Sequence, residues 1–556
     1  MKFVRPIAAS LALLAAAPLA AQEAAPVPPA ATAPRTPPKL IVVISVDQFS
    51  ADLFAEYRNH FTGGFARLLT GAVFPAGYQS HAATETCPGH STITTGDHPA
   101  RTGIIANDWT DMKVSRGADG DHTVYCAEDE TVPGSTADNY TVSDKHLRVP
   151  TLGERMKAMD PATRVVSVAG KDRAAVMMGG HNVDELWWWN GKSFVSYAGR
   201  TQPEMVMKIN AATTMRIAQA QPAMDLPATC VPHSRAIPVG TKGKTVGDGR
   251  FARAAGDAAH FRASPEFDEA ILALAAGLIS DMKLGQGSAT DIITIGASAT
   301  DYVGHGYGTE GSEMCLQLLT LDQNLGKLFG VLDSTGVDYQ VVLTADHGGH
   351  DLPERNRERA MPMAQRVDAL LAPAQVGPQI ATKLGLKGQL LWGGTNGDVW
   401  IDDKLTKTQH DKVLAEAVKY YSAAPQVAAV LTRAQVQATP MPTGPAETWT
   451  LLERARASFD AERSGDFLIA LKPRVTAIPD GGGSGSVATH GSFWDYDRRV
   501  PMLFWRKGMT GFEQPLAVET IDIAPTLAAL IGLKLAPGEV DGRCLDLDAG
   551  VGDSCQ

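Results

Sequence analysis

Residues 84–103, TETCPGHSTITTGDHPARTG, bring threonines, a serine, a cysteine and two histidines into one segment broken by glycine and proline. A hydroxyl is a weak nucleophile at its free pKa, and coordination to a metal favours the alkoxide. Nucleophilic catalysis is therefore open to this stretch if cations stand beside it. Thr84, Thr86, Ser91 and Thr92 are all candidates by position, although most such hydroxyls do no more than cap a helix. Pro88 predicts a helix starting at PGHSTITTG. Residues just ahead of it would lie where helix N–H groups point outward, a place that suits a phosphate.

Groups able to complete such a site recur elsewhere: Asp47, then Lys171 and Arg173, then Asp301 with His305, and finally Asp346 with His347. Asp and His donors without paired cysteines fit zinc or a similar borderline divalent ion, and they are numerous enough for two. A metal pair roughly 4 Å apart can activate a nucleophile with one ion and hold a leaving oxygen with the other. Any one Asp after a strand is ordinarily a turn former. The joint occurrence is what points to a site.

Four short, nearly continuous apolar runs must position these groups: KLIVVISVD (39–47), TRVVSVAGK (163–171), DIITIGASATD (291–301) and DYQVVLTADH (338–347). They read as buried parallel strands. Helical patterns alternate with them, among them SPEFDEAILALAAGLISDMKLG, with Ser264 as N-cap, Pro265 in the first turn and Gly285 as a stop. The expected fold is therefore α/β, a doubly wound, mostly parallel sheet with helices on both faces. Its strand ends line one crevice.

Lys2 and Arg5 precede an apolar run from Ile7 to Leu19 that ends in small residues, which predicts a signal peptide over 1–21. The Pro/Ala-rich residues 22–38 read as a linker. Residues 39–556 would form the catalytic domain, with insertions near 185–260 and 375–475 forming a cap. The formal charge is −11, and loss of the signal removes Lys2 and Arg5. So acidic a chain argues against nucleic acid or an anionic membrane as a partner. No run is long enough to span a bilayer. Six cysteines in an oxidising compartment permit three disulfides, and Cys544–Cys555 would close the shortest loop.

The segment TETCPGHSTITTGDHPARTGIIANDW resembles the threonine-nucleophile segment of the alkaline phosphatase superfamily, in the type I phosphodiesterase/nucleotide pyrophosphatase branch. GKDR, SATDYVGHGYG, TADHGG and ATHGSFWDYDRRVPM narrow the resemblance to the periplasmic alkaline phosphatases of that branch, the PafA-like and Sphingomonas-type enzymes. It runs from Lys39 to about Leu530. It implies Thr86 as the nucleophile that is phosphorylated, and two zinc ions per chain. Asp47, Thr86, Asp346 and His347 would hold one zinc; Asp301, His305 and His490 would hold the other. Asn107, Lys171 and Arg173 would contact the phosphoryl oxygens.

The resemblance also implies hydrolysis of phosphate monoesters, with broad tolerance, by a periplasmic or secreted phosphate scavenger acting as a monomer. A diesterase of the same branch and a non-catalytic zinc-binding domain are the alternatives. GYGTEG (306–311) fits a dinucleotide fingerprint but is displaced from its strand, and CPGHS lacks the C/S-x-P-x-R spacing of sulfatases. Cys87 is accordingly read as a disulfide or packing residue. ELWWWNG (185–191) is read as the small core of an insertion, and DGGGSGS (480–486) as a flexible loop that lets His490 reach the metal.

Overall fold

The computed structural model describes residues 36–117, 120–483 and 485–556. The signal peptide and all but the end of the linker lie outside them. The four runs read as strands form the centre of one sheet, in the order Tyr339–Thr344, Leu40–Val46, Asp291–Ala297, Val165–Ala169, and Glu185–Trp189 is added beside the last. All are parallel. Arg499–Arg506, antiparallel to Tyr339–Thr344, and Ala72–Tyr78, antiparallel in turn to Arg499–Arg506, extend the sheet on one side, and Phe194–Val195 lies at the other edge.

Alternation along each strand explains why the runs are apolar throughout. Leu40, Val42, Ile44 and Val46 pack into one hydrophobic cluster with helices Pro265–Asp281 and Ser312–Ser334. Ile41 and Val43 pack into a second with helices Thr86–Thr95, Asp172–Gly179 and Ile523–Leu530. Helices thus cover both faces, as a parallel sheet requires.

ELWWWNG departs from its reading. Glu185–Trp189 is a strand of the main sheet, because Trp187 and Trp189 enter one cluster while Leu186 and Trp188 enter the other. A run buried on both sides satisfies a parallel strand as well as it satisfies a small core. The stretch near 375–475 builds its own layer. Leu391–Gly393, Gly397–Ile401, Phe467–Leu471 and Val427–Thr432 form an antiparallel sheet, packed against helices Pro373–Leu384 and Lys407–Ser422 through a separate core.

Three disulfides are formed: Cys87–Cys126, Cys230–Cys315 and, as its short loop predicts, Cys544–Cys555. Among the described residues no helix is long and apolar enough to cross a membrane.

Candidate active site

In-register pairing brings the strand ends to one edge. Val46 lies beside Ala297, Ser45 beside Thr344 and Gly296 beside Ala169. Asp47, Asp346 and Lys171, one or two residues further on, therefore arrive together. Asp301 does not end a strand, contrary to the sequence reading. Its strand stops at Ala297, and Asp301 sits in the first turn of helix Ala299–Tyr307. One turn later on the same helix face, His305 places Nε2 3.3 Å from Asp301 Oδ1.

The helix carrying the candidate hydroxyls also starts earlier than Pro88. Thr86 is its first residue, Glu85 its N-cap, and Gly96 ends it in the left-handed conformation at φ 78°. Pro88 is still within the first turn, where its missing N–H costs nothing. Gly89 lets this helix seat against the end of Tyr339–Thr344, since a Cβ there would collide with the Asp346 carbonyl. Of the four hydroxyl candidates, Thr86 meets a charged site residue: Lys171 Nζ lies 3.5 Å from its Oγ1. Ser91 and Thr92 donate to the carbonyls of Pro88 and Gly89, and Thr84 donates to that of Ser492.

Two groups of donor atoms lie within 4.8 Å of one another: Asp301, His305 and His490, and Asp47, His90 and Asp346. The first is half open to solvent and the second is buried. His490 Nδ1 pairs with the Thr84 carbonyl at 2.8 Å, and His305 Nδ1 with that of Ala488 at 2.9 Å. Each imidazole thereby turns Nε2 toward Asp301. Because segment 488–490 is pinned at both ends, His490 is held in place rather than swinging on the glycine run. His347 Nδ1 contacts the Gly348 carbonyl and its Nε2 approaches Asp346 Oδ2 at 3.2 Å.

Both Asp47 oxygens, Asp346 Oδ2, His90 Nε2 and His347 Nε2 are buried without a hydrogen-bond partner. Orphaned acceptors at this density are costly unless a cation satisfies them. Among the protein's own groups, Lys171 carries that load, with Nζ 2.6 Å from Asp301 Oδ2 and 3.0 Å from Asp47 Oδ2.

Electrostatics follow. Burial resists ionisation of Asp47, but Lys171 and His90 outweigh it and hold the carboxyl below its usual value. Burial likewise opposes the charge on Asp301, yet His305 and Lys171 hold it well down. Asp346 is pushed up to about 7 by burial and by the adjacent Asp47. Burial and neighbouring His490 hold His347 well below the usual imidazole value, so it is neutral and able to ligate.

Asn107 accepts from the Cys87 N–H through Oδ1 at 2.8 Å, which leaves its NH2 as the free end. Its own N–H donates to Glu85 at 2.7 Å. Arg173 lies with Lys171 on the wall of a cavity of about 560 Å3 and donates to Tyr125 Oη at 3.3 Å.

Two residues were missed by the sequence reading. His90 sits in CPGHS, where its spacing four residues after Thr86 on one helix was the available signal. Gln48 has a left-handed backbone at φ 63°, so that its N–H binds Asp346 Oδ1 and its Nε2 binds Asp301 Oδ1, both at 3.0 Å. Nothing in its sequence context marks it.

A mostly parallel sheet gathering two carboxylate–imidazole clusters beside one buried threonine is the alkaline phosphatase-like α/β architecture. The model of the type I phosphodiesterase/nucleotide pyrophosphatase family matches residues 41–493, and the chain belongs to that family. It is 60% identical to the alkaline phosphatase PhoK of Sphingomonas sp, over 94% of this chain and 93% of PhoK. It is 49% identical to the alkaline phosphatase PhoD of Zymomonas mobilis, over 93% of this chain and 89% of PhoD. The crystal structure of the alkaline phosphatase PafA superposes with a TM-score of 0.78 at 25% identity, covering 92% of this chain and 99% of PafA.

Proposed function

We propose that this protein hydrolyses phosphate monoesters through a phosphothreonine at Thr86, aided by a pair of zinc ions. The observation that carries this is Lys171: one ammonium touches Asp47, Asp301 and Thr86, so both donor clusters face the same hydroxyl. The similarity to proteins named as alkaline phosphatases supports the same reading.

Asp and His donors with orphaned buried atoms and no free thiolate fit zinc. Asp47, Asp346, His347 and Thr86, joined by neighbouring His90, would hold one ion; Asp301, His305 and His490 would hold the other. When bound, the pair supplies positive charge that favours the threonine alkoxide and stabilises the departing oxygen.

The chain's own residues do the rest. Thr86, the first residue of its helix, presents Oγ1 at the end where the helix dipole favours the phosphoryl anion. Its oxygen forms a bond to phosphorus as the bond to the alcohol breaks; water later cleaves the phosphothreonine and phosphate leaves. Asn107 donates its free NH2 to one phosphoryl oxygen. Arg173 offers a planar fork, and Lys171 a point charge, to the others, where a loose transition state keeps its charge. A diester, with one of those oxygens alkylated, leaves a cation unmatched, which favours monoesters over the diesterase reading.

The disulfides fit an oxidising compartment, and with the sequence of residues 1–21 they support export to the periplasm and a role in phosphate scavenging. Thr86→Ala should abolish release of p-nitrophenol from p-nitrophenyl phosphate while the purified variant still binds zinc. Undiminished turnover would sink the assignment.

A further inference from the structure

A second cavity, of about 380 Å3, opens on the side of the site opposite in character to the Lys171–Arg173 wall. It lies between the main body and the antiparallel layer built from 391–471. Trp109, Trp392 and Trp400 supply aromatic surface, and Glu85, Asp108 and Asp398 supply carboxylates. No Lys, Arg or His lines it, and none of those three carboxylates forms an ion pair among the described residues. Burial pushes the Asp398 and Asp108 carboxyls up to about 6 against the pull of Arg433 and Arg173.

The cavity adjoins the reacting groups. Glu85 immediately precedes Thr86, Asp108 follows Asn107, and Gly491 follows His490. The half-buried donor cluster, where an alcohol would depart, is the one containing His490. A volume of this size accommodates a small organic group. Arg463 already covers the Trp109 ring at 4.7 Å, so Trp392 and Trp400, together with carboxylates outside any ion pair, form the receptor for a cation.

We propose that this cavity is a subsite for the alcohol portion of the substrate, selecting phosphate monoesters whose alcohol carries an ammonium group. The positive wall would take the phosphoryl dianion and the negative cavity the cationic tail, so the ligand is zwitterionic. This deepens the monoesterase reading and rests on it for the placement of phosphorus.

The test compares 2-aminoethyl phosphate, 2-hydroxyethyl phosphate and carboxymethyl phosphate. Binding to the zinc-loaded Thr86→Ala protein is read by calorimetry at pH 8, so the result does not depend on turnover. The ammonium ester should bind about tenfold more tightly than the hydroxyl ester, and the carboxylate ester more weakly than both. Trp392→Ala and Asp398→Asn should bring the ammonium and hydroxyl esters to within about twofold of each other, the asparagine retaining the acceptor that meets the Gly465 N–H at 2.6 Å. Equal affinity for the three esters in the parent protein, or an equal loss for all three in both variants, would overturn the proposal. Turnover of p-nitrophenyl phosphate by the unmutated enzyme separately tests the monoesterase reading.

Discussion

The ring of His490 lies 3.6 Å from that of His347, centroid to centroid, and the two planes meet at 19°. Residues 143 positions apart in sequence are thereby stacked, and the stack joins the half-open donor cluster to the buried one. Neither imidazole is free to turn, because each has Nδ1 against a backbone carbonyl. Such pairing fixes which nitrogen faces a metal.

Metal removal should therefore cost both activity and stability. Chelation should abolish p-nitrophenyl phosphate hydrolysis, and zinc should restore it. Because Asp47 and Asp346 keep buried orphan oxygens, zinc present at 1,000 times its dissociation constant should stabilise the fold by about 4 kcal/mol, read as a rise in Tm. His490→Ala should reduce the bound zinc measured by elemental analysis; unchanged content and activity would remove His490 from the donor set.

Arg173→Ala should lower kcat/KM for an aryl monoester by about 100- to 1,000-fold, the usual effect of losing one donor to developing charge. An aryl diester should lose far less, because the oxygen that Arg173 would meet is alkylated and uncharged. Parallel losses on the two substrates would mean that Arg173 does not discriminate between them.

The Cys87–Cys126 disulfide clamps the surroundings of Asn107: the Cys87 N–H meets Asn107 Oδ1, and the Cys126 N–H meets the Asn107 carbonyl. Closing a loop of 39 residues is worth about 4 kcal/mol by chain entropy. The Cys87→Ser/Cys126→Ser protein should unfold at lower urea and show a raised KM for phosphate esters. A normal KM would show that Asn107 is held without the bond.

His98 offers a pH test away from the metal donors. It is buried; burial lowers its pKa, but hydrogen bonds from its ring to Asp541 and Glu519 more than compensate and raise it to about 9. A folded pKa above the unfolded value of about 6.5 means that its contribution is complete below pH 6.5 and is lost as pH rises toward 9. The Tm of the parent protein should fall across that window, and that of His98→Gln should fall less. Identical profiles would show that the ion pairs at His98 contribute nothing.

Much of this molecule was legible in the chain. The four apolar runs indicated buried parallel strands because they are short, continuous and β-branched, and Asp47 and Asp346 stand just past strand ends where ligands gather, whereas Asp301 lies on the following helix. Sequence by itself also determined the chemical types of the donors; it favoured Cys544–Cys555 as the shortest loop, but the three pairings were decided by the fold. The motif resemblance supplied Thr86 as the candidate among four hydroxyls, and the 3.5 Å contact with Lys171 is consistent with that choice. Only tertiary structure decided the rest. Strand register, a property of pairs of distant segments, put Lys171 between Asp47 and Asp301. Gly89 and the left-handed turn at Gln48 act through close approach and backbone angle, which residue type alone does not reveal. His90 joined the buried cluster because its helix was seated against the end of a strand 250 residues later, and the tryptophan-lined cavity exists only where the antiparallel layer meets the body. Local pattern sets which elements form; which side chains meet depends on packing between elements far apart in the chain.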